Sequence, residues 1–153
     1  MIRRASLADA PTLARLNTHV QAWHAEQYPE AFFPAPDPAA MTRHFADRLA
    51  DPGCVAFLAG DPATGYALCQ LQTRDLSLFS PPVRRLMVDQ IAVAPEARRQ
   101  GQGRALLQAA RALARDWAVD EVLLDTWEAN HEAHAFFRAE GFHPRRMLFR
   151  ATP

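Results

Sequence analysis

The chain has 153 residues, 49% of them apolar, which predicts one compact domain over residues 1–153 with its own core. Its 17 basic and 17 acidic residues balance to a formal net charge of zero, which argues against a broad nucleic-acid-binding face. No stretch approaches the ~18–20 apolar residues of a membrane span, and the N-terminus lacks the apolar run of a signal peptide. We therefore expect neither a membrane nor a nucleic acid as partner.

Two features of the composition, the absence of lysine and the placement of the two cysteines, further limit the possible functions. All 17 basic residues are arginine, which excludes a lysine Schiff base and the lysine of a Walker A loop. Cys54 and Cys69 lie in separate apolar runs and form no CxxC pair. This pattern predicts reduced core cysteines in a cytoplasmic protein.

The first elements along the chain are predicted to be a short strand and a helix. Residues 2–5 form the strand, and Ser6 caps the helix, with Asp9 in the place of the Glu or Gln of a capping box. Apolar residues keep helical spacing to about residue 26. The segment over residues 28–40 carries four prolines, which predicts irregular backbone.

A second helix and a β-hairpin follow. Met41, Phe45 and Leu49 are four residues apart, which predicts a helix that ends at the turn DPG. The runs CVAFLAG and GYALCQLQT predict two antiparallel strands joined by the turn residues DPAT.

The second half of the chain alternates strands and helices. Strands are predicted at residues 86–93 and 121–126, a long helix lies between them, and a last helix over residues 130–140 precedes a closing strand over 142–151. The strand–helix–strand order predicts a parallel pair with a right-handed crossover. With the antiparallel hairpin, this gives an α/β fold with a mixed, mostly antiparallel sheet and helices on both faces.

Two glycines, Gly101 and Gly103, open the long helix within the stretch EARRQGQGRALL. Glycine costs a helix roughly 0.5–1 kcal/mol relative to alanine, so two at a helix start need a reason. The first four amides of a helix lack internal partners, and together with the macrodipole they favour an anion, usually phosphate. Arg98, Arg99 and Arg104 add positive charge there. The alternative is that the glycines only permit a tight turn and close helix–sheet packing.

Two motifs resemble the GCN5-related N-acetyltransferase (GNAT) superfamily. VDQIAVAPEARRQGQGRALL is similar to the family's central strand, which ends in Ala-Val-x-Pro and leads into an Arg/Gln-x-x-Gly-x-Gly/Ala loop. NHEAHAFFRAEGF is similar to a second family motif, Asn-x-x-Ala-x-x-Phe-Tyr followed by Gly-Phe. The resemblance is specific over residues 86–143. It implies a GNAT-type sheet with a splayed parallel strand pair, and transfer of an acetyl group from acetyl-CoA to a primary amine.

The resemblance also implies which residues bind acetyl-CoA. The pantetheine arm would lie between the splayed strands and pair with the backbone of Ile91 and Val93, while amides from Arg99 to Ala105 would hold the pyrophosphate. The full implied set is Ile91, Ala92, Val93, Arg98, Arg99, Gln100, Gly101, Gln102, Gly103, Arg104, Ala105, Asn130, Phe136 and Phe137. A nucleotide-binding oxidoreductase is disfavoured, because a GxGxxG loop would need glycine at Leu106.

The catalytic residues are open to more than one interpretation. A base must remove the proton of the acceptor amine, and the resemblance nominates Asp89, with a solvated or salt-bridged Asp89 as the alternative. His24 is a second candidate on the acceptor side, and Gln90 could orient a water or the acceptor. Many family members carry a tyrosine that can protonate the leaving thiolate where this chain has Phe137. This departure keeps open a non-catalytic acyl-CoA sensor or interaction module.

The acceptor side is expected to be aromatic. The resemblance places it at the first two helices, the proline-rich segment and the loop before the central strand. The residues nominated there are Trp23, His24, Tyr28, Phe32, Phe33, Phe79 and Arg84. Such a wall with few acids suits a small amine with an apolar body, or a peptide N-terminus.

Two remaining features concern metals and assembly. The histidines of HEAH, residues 131–134, are three apart rather than four, so we expect no metal site. Few residues follow Gly141 and Phe142, whereas the family usually finishes with two strands. The exposed sheet edge this would leave favours a homodimer.

Overall fold

The computed structural model describes every residue from Met1 to Pro153. It contains five strands and four α-helices: β1 (Ile2–Arg4), α1 (Ala10–Gln27), α2 (Pro38–Ala50), β2 (Cys54–Gly60), β3 (Ala63–Arg74), β4 (Val83–Val93), α3 (Gln102–Asp116), β5 (Val122–Leu124) and α4 (His131–Ala139). Short 3-10 turns precede α1 at Leu7–Asp9 and follow β4 at Pro95–Ala97. No helix is both long enough and apolar enough to cross a bilayer.

The five strands form one sheet in the order β1-β2-β3-β4-β5. Neighbouring strands are antiparallel except for β4 and β5, which are parallel and are connected through α3. The predicted fold class, a mixed and mostly antiparallel sheet with one parallel pair, is therefore confirmed.

Helices cover both faces of the sheet and create two apolar layers. The layer against α3 contains Val55, Leu86 and Leu106, and the layer against α1 and α2 contains Leu13 and Phe45. Successive residues of β2 and β3 point into opposite layers, which is why both strands are almost continuously apolar. The core is thus split by the sheet into two halves.

Each layer contains one of the two cysteines. Cys54 and Cys69 are buried and unpaired, as predicted for core residues. Burial raises the pKa of the Cys69 thiol to about 12, so this sulfur stays protonated and unreactive near neutral pH.

The start of α1 differs slightly from the prediction. Ser6 and Asp9 do form a capping arrangement, in which the Ser6 N–H donates to Asp9 Oδ2 at 2.8 Å, but they cap the 3-10 turn and α1 begins at Ala10. Arg3 also donates two hydrogen bonds to Asp9, at 2.9 and 2.7 Å. Strand β1 and the start of α1 are therefore joined at their polar ends.

The predicted closing strand over residues 142–151 is wrong. This segment has no regular structure and is held by two ion pairs, Arg145 with Glu121 and Arg150 with Glu30. A strand needs a ladder of backbone hydrogen bonds. After the N–H of Phe142, which donates to Phe137, no residue of this segment makes a backbone–backbone bond outside regular elements. The outer edge of β5 is consequently unpaired.

Candidate active site

The parallel strands β4 and β5 separate after a short paired stretch. Only three residue pairs join them, from Leu86 with Val122 to Val88 with Leu124. Strand β4 then continues to Val93 in contact with β3 alone. The second half of β4 therefore has an open edge, which is the splayed arrangement that the resemblance implied.

A β-bulge determines which backbone groups face this open edge. Leu68 of β3 pairs with Gln90, whereas the next residue, Cys69, pairs with Val88, so Asp89 is an extra residue in β4. Before the bulge, the N–H of Leu86 donates to the carbonyl of Glu121 and so points towards β5.

The extra residue shifts the alternation of the strand by one position. If the strand alternated regularly through Asp89, residues 90 and 92 would turn their backbone groups outward, but because the bulge takes up one residue the outward residues are Ile91 and Val93. Two bonds agree with this phase: the N–H of Ala94 donates back to Thr64 of the β2–β3 hairpin, and Arg98 Nε donates to the Val93 carbonyl at 3.3 Å. The backbone groups of Ile91 and Val93 are thus presented to the open edge.

The loop after β4 presents a row of free backbone amides. The N–H groups of residues 99–104 donate no hydrogen bond within the chain, and the first helical bond of α3 runs from the N–H of Ala105 to Gly101. Arg99 and Gly101 have positive φ, 60° and 79°. Successive amides in such turns form concave anion sites. Ala105, included in the predicted amide set, is the exception, since its N–H is already bonded.

Most side chains around this loop already have hydrogen-bond or ion-pair partners within the chain. Arg98 reaches between Val93 and Glu132, and Arg104 pairs with Glu140 at 2.8 Å. Gln102 is bonded to Thr64, and Gln100 to the carbonyl of Glu96. Among the three arginines near the glycines, Arg99 alone has no partner in the chain.

The two glycines of the loop have different roles. Gly101 adopts a left-handed conformation, and a Cβ there would meet nothing within 4 Å. At Gly103 a Cβ would lie 3.0 Å from the Phe136 ring of α4, so this glycine permits close packing of α3 and α4. The packing interpretation therefore holds for Gly103, although its neighbour is a helix rather than the sheet.

The second motif surrounds the start of α4. Asn130 is the N-cap residue, and its side-chain oxygen accepts a hydrogen bond from the N–H of Ala133 at 3.0 Å. Phe137 is only 8% exposed and packs near Phe136 and Phe142, with ring centroids 5.3 and 6.1 Å away. Its ring is a core element and offers no proton.

Asp89 is engaged in an ion pair on the face of the sheet that α1 and α2 cover. Arg48 of α2 donates to Asp89 Oδ2 at 2.5 Å and to Gln70 Oε1 at 3.2 Å. Desolvation lowers the pKa of Arg48, but the hydrogen bonds and charges of Asp89 and Cys54 together outweigh it and the net pKa is raised. Asp89 Oδ1 has no partner in the chain. The alternative of a salt-bridged Asp89 therefore applies to Oδ2 but not to Oδ1.

Gln90 lies beside Asp89 on the same face, because the bulge keeps two successive side chains on one side. Its Oε1 accepts hydrogen bonds from Tyr66 at 2.7 Å and from Asn17 at 3.2 Å. Asn17 also donates to the Tyr66 hydroxyl at 2.9 Å. Burial raises the pKa of Tyr66, so its hydroxyl keeps the proton that it donates.

An aromatic cluster lies at the end of α1. We define it as Trp23, His24, Tyr28, Phe32 and Trp127. His24 stacks on Phe32 with centroids 4.6 Å apart, and Trp127 lies 4.4 Å from Tyr28 and 5.2 Å from Phe32. The Tyr28 hydroxyl accepts a hydrogen bond from the N–H of Ala129, which ties the cluster to the loop before α4. Burial lowers the pKa of His24, so its imidazole is neutral near pH 7.

Three residues predicted for the acceptor side lie outside this cluster. Phe33 is exposed and contributes its carbonyl, not its ring, to a bond with Gln21. Phe79 is 93% exposed in the loop between β3 and β4. Arg84 donates to the carbonyl of Trp117 at the end of α3, where the helix dipole favours a cation. The structure therefore does not bring these three residues together with the aromatic cluster, and their place on the acceptor side stays a prediction.

Sequence reasoning missed Trp127, Arg48, Asn17 and Tyr66. Trp127 was recognisable in principle, because it lies in the loop that follows β5 and ligands bind at the carboxyl ends of parallel strands. The other three contact Asp89 or Gln90 only through tertiary packing. No group of three or more potential metal-ligating side chains is present.

A mixed sheet whose single parallel pair opens beside a loop of free amides is the arrangement of the GCN5-related acetyltransferase fold. The sequence model of the Acetyltransferase (GNAT) family matches residues 17–142, and the chain belongs to this family. No curated protein matches the sequence significantly.

Solved structures agree on the fold. A tetramutant of the BH1408 protein from Bacillus halodurans has a TM-score of 0.90 at 20% identity, over 100% of this chain and 99% of that one. The aminoglycoside N-acetyltransferase AAC(6')-Iy, in complex with CoA, has a TM-score of 0.78 at 18% identity, over 99% and 93%. The aminoglycoside acetyltransferase meta-AAC0020 from an uncultured soil metagenomic sample, in complex with trehalose, has 0.73 at 18%, over 100% and 95%.

Proposed function

We propose that the chain is an N-acetyltransferase that transfers an acetyl group from acetyl-CoA to a primary amine of a small molecule or a peptide N-terminus. The observation that carries this proposal is the junction of the open β4 edge with the free amides of residues 99–104. Few other ligands need both an extended hydrogen-bonding edge and an anion site at its end.

The residues present fit the two parts of acetyl-CoA. The amides of residues 99–104, the start of α3 and the unpaired Arg99 suit the pyrophosphate. The outward backbone groups of Ile91 and Val93 suit the amides of the pantetheine arm, which would pair with them as a further strand does. The Asn130 amide nitrogen has no partner in the chain, and we assign it to the same ligand.

The reaction would take place where β4 opens beside Asp89. The nitrogen of a neutral amine attacks the thioester carbonyl carbon, the oxygen takes the negative charge, and the carbon–sulfur bond breaks to release the thiolate. A backbone N–H on the open edge of β4 would stabilise the charge on oxygen. The amine proton goes to a base, and the thiolate takes a proton from water, since Phe137 has none to give.

Asp89 and His24 are the candidate bases. The free Oδ1 of Asp89 can accept a proton directly or through one water, while Oδ2 stays with Arg48. His24 is neutral near pH 7 and so has a free ring nitrogen. Because both face the α1 and α2 side of the sheet, the amine is expected to approach from that side.

The test is thiol release with a panel of primary amines, with product acetylation followed by mass spectrometry. Stoichiometric thiol and acetylated amine support the proposal. The second candidate function, a non-catalytic acyl-CoA sensor, is favoured by Phe137 and by the ion pair of Asp89. It would give acetyl-CoA binding in calorimetry without release of thiol in the presence of any amine.

A further inference from the structure

The chain of polar side chains formed by Asn17, Tyr66 and Gln90 interrupts an otherwise apolar layer. Tyr66 is fully buried and Asn17 is 5% exposed. Burial of such groups without hydrogen bonds is unfavourable, so their mutual bonds are strongly favoured. The network therefore holds Gln90 in one orientation.

The orientation of Gln90 leaves its nitrogen as the free end. Its oxygen accepts from both Tyr66 and Asn17, at 2.7 and 3.2 Å, which uses both lone pairs. Its Nε2 has no hydrogen-bond partner in the chain. Every buried side-chain nitrogen or oxygen does have a partner, so this nitrogen is accessible. Gln90 thus offers two N–H donors towards accessible space.

The position of Gln90 relates these donors to the open edge of β4. Gln90 lies between the bulge residue Asp89 and Ile91, whose backbone faces that edge. If the edge binds acetyl-CoA as proposed above, the donors lie on the side from which the amine arrives.

The aromatic cluster lies further along the same face of α1. Asn17 and His24 are seven residues apart, which is two helical turns or about 10 Å. A molecule between Gln90 and the cluster would therefore have a polar end near the donors and a flat apolar body against the rings.

We propose that Gln90 selects acceptors that carry an oxygen next to the reacting amine, as in a vicinal amino alcohol, attached to an aromatic or apolar body. This inference rests on the proposed acetyl transfer. Gln90 Nε2 donates to the oxygen of the acceptor and so fixes the amine relative to the thioester. Asn17 and Tyr66 do not touch the acceptor and are positioning residues that act through Gln90.

The test compares two amines that differ by one hydroxyl, 2-amino-1-phenylethanol and 2-phenylethylamine. A hydrogen bond of about 0.5–1.5 kcal/mol corresponds to a preference for the amino alcohol of about 2- to 13-fold in kcat/KM. Gln90→Ala should bring this ratio close to one. Tyr66→Phe, which keeps the ring, should lower it in the same direction, and Gln108→Ala, at an exposed position of α3, should leave it unchanged.

The outcomes separate this inference from the proposed function. A wild-type ratio near one, or a ratio that Gln90→Ala does not change, overturns the inference while thiol release with either amine keeps the acetyltransferase. A Gln90→Glu variant that retains the preference overturns the assignment of Gln90 as donor. Should Gln90→Ala fail to fold, Tyr66→Phe and Gln90→Glu carry the test. The absence of thiol release with every amine overturns both proposals.

Discussion

The proposed cofactor side and the proposed acceptor side of the candidate site are built from different parts of the polypeptide. On the cofactor side, residues 99–104, which form the turn after β4 and the first residues of α3, and the open edge of β4 offer backbone groups. On the acceptor side, the groups are side chains from α1 and the segment after it, β3, β4 and the loop after β5. A surface made of backbone depends on chain conformation, whereas one made of side chains depends on the identity of each residue. Binding of acetyl-CoA should therefore be sensitive to substitutions that change backbone conformation, whereas use of the amine should be sensitive to substitutions that change individual side chains.

The largest effect is expected from Asp89→Asn, a side-chain change on the acceptor side that keeps size but removes a proton acceptor. General-base assistance is typically worth about 10²–10⁴-fold, so kcat should fall by that range while acetyl-CoA affinity in calorimetry stays nearly unchanged. The loss should shrink at high pH, because more of the amine is then already neutral.

Arg48→Met is the matched control, since it breaks the same ion pair but leaves the carboxylate. A catalytic Asp89 predicts that this variant keeps most of kcat. Equal losses of kcat and of thermal stability in both variants would instead identify the pair as structural. His24→Ala is measured in parallel, because the pH-dependent defect belongs to whichever residue is the base.

The cofactor side should respond to a change of backbone conformation. Gly101→Val places a β-branched residue at φ 79°, which costs about 1–3 kcal/mol and displaces the neighbouring amides. Acetyl-CoA affinity in calorimetry should fall about 10- to 100-fold. Gly141→Val is the control, because Gly141 has a similar φ of 83° at the end of α4. It should lower the melting temperature and keep the affinity.

A smaller effect is expected from Trp127→Leu, which removes one ring from the aromatic cluster. Aromatic pairs are worth about 0.5–1.5 kcal/mol, so KM for an aromatic amine should rise about 2- to 13-fold with little change in acetyl-CoA affinity. Phe79→Leu removes an aromatic side chain outside the cluster and should leave KM unchanged. A KM that responds equally to both substitutions would contradict the assignment of the cluster to the acceptor.

The smallest effect concerns the pH dependence of stability. Burial lowers the pKa of His24 below its ordinary 6.5, so the unfolded chain binds more protons than the folded one between the two values. Stability should therefore rise with pH through this window and fall as the pH drops below about 6.5. His24→Phe keeps the stacking ring and should flatten this part of the melting-temperature profile. An unchanged profile would show that other groups cause the acid sensitivity.

The sequence predicted the local conformation of β4, the glycine loop and α3 better than it predicted the side-chain contacts across the sheet, for a physical reason. The strand, the glycine loop and the start of α3 are contiguous, so their local conformation follows from glycine, helix-terminus and strand patterns. One detail escaped: a Cβ at Gly103 would meet Phe136 of α4, a contact between segments more than thirty residues apart.

The acceptor side depends on contacts that no local pattern encodes. Arg48 meets Asp89 across 41 residues of sequence, and Asn17 meets Gln90 across 73. Four of the predicted aromatic and histidine residues do cluster, because α1 and the segment after it are continuous. Trp127 joins them only through the fold. The closing strand failed for the same kind of reason, since a strand requires a partner that periodicity alone does not supply.

The bulge in β4 adds one side chain to a face of the strand and leaves the faces of its neighbours unchanged. Substitution of Asp89 changes that side chain alone. Deletion of Asp89 would remove the bulge, because Val88 and Gln90 already pair with the adjacent residues Cys69 and Leu68 and would then alternate as in a regular strand. Gln90 would stay on the face that α1 and α2 cover, and the backbone groups of Ile91 and Val93 would still face the open edge.

A single-residue deletion at this point would therefore remove the Asp89 carboxylate and its ion pair with Arg48 but keep the Gln90 contacts and the open backbone edge. The bulge is thus a one-residue insertion that places an acidic side chain beside Gln90 without changing which backbone groups β4 presents. In a lineage of such proteins, loss of this residue should remove the acid and spare the edge.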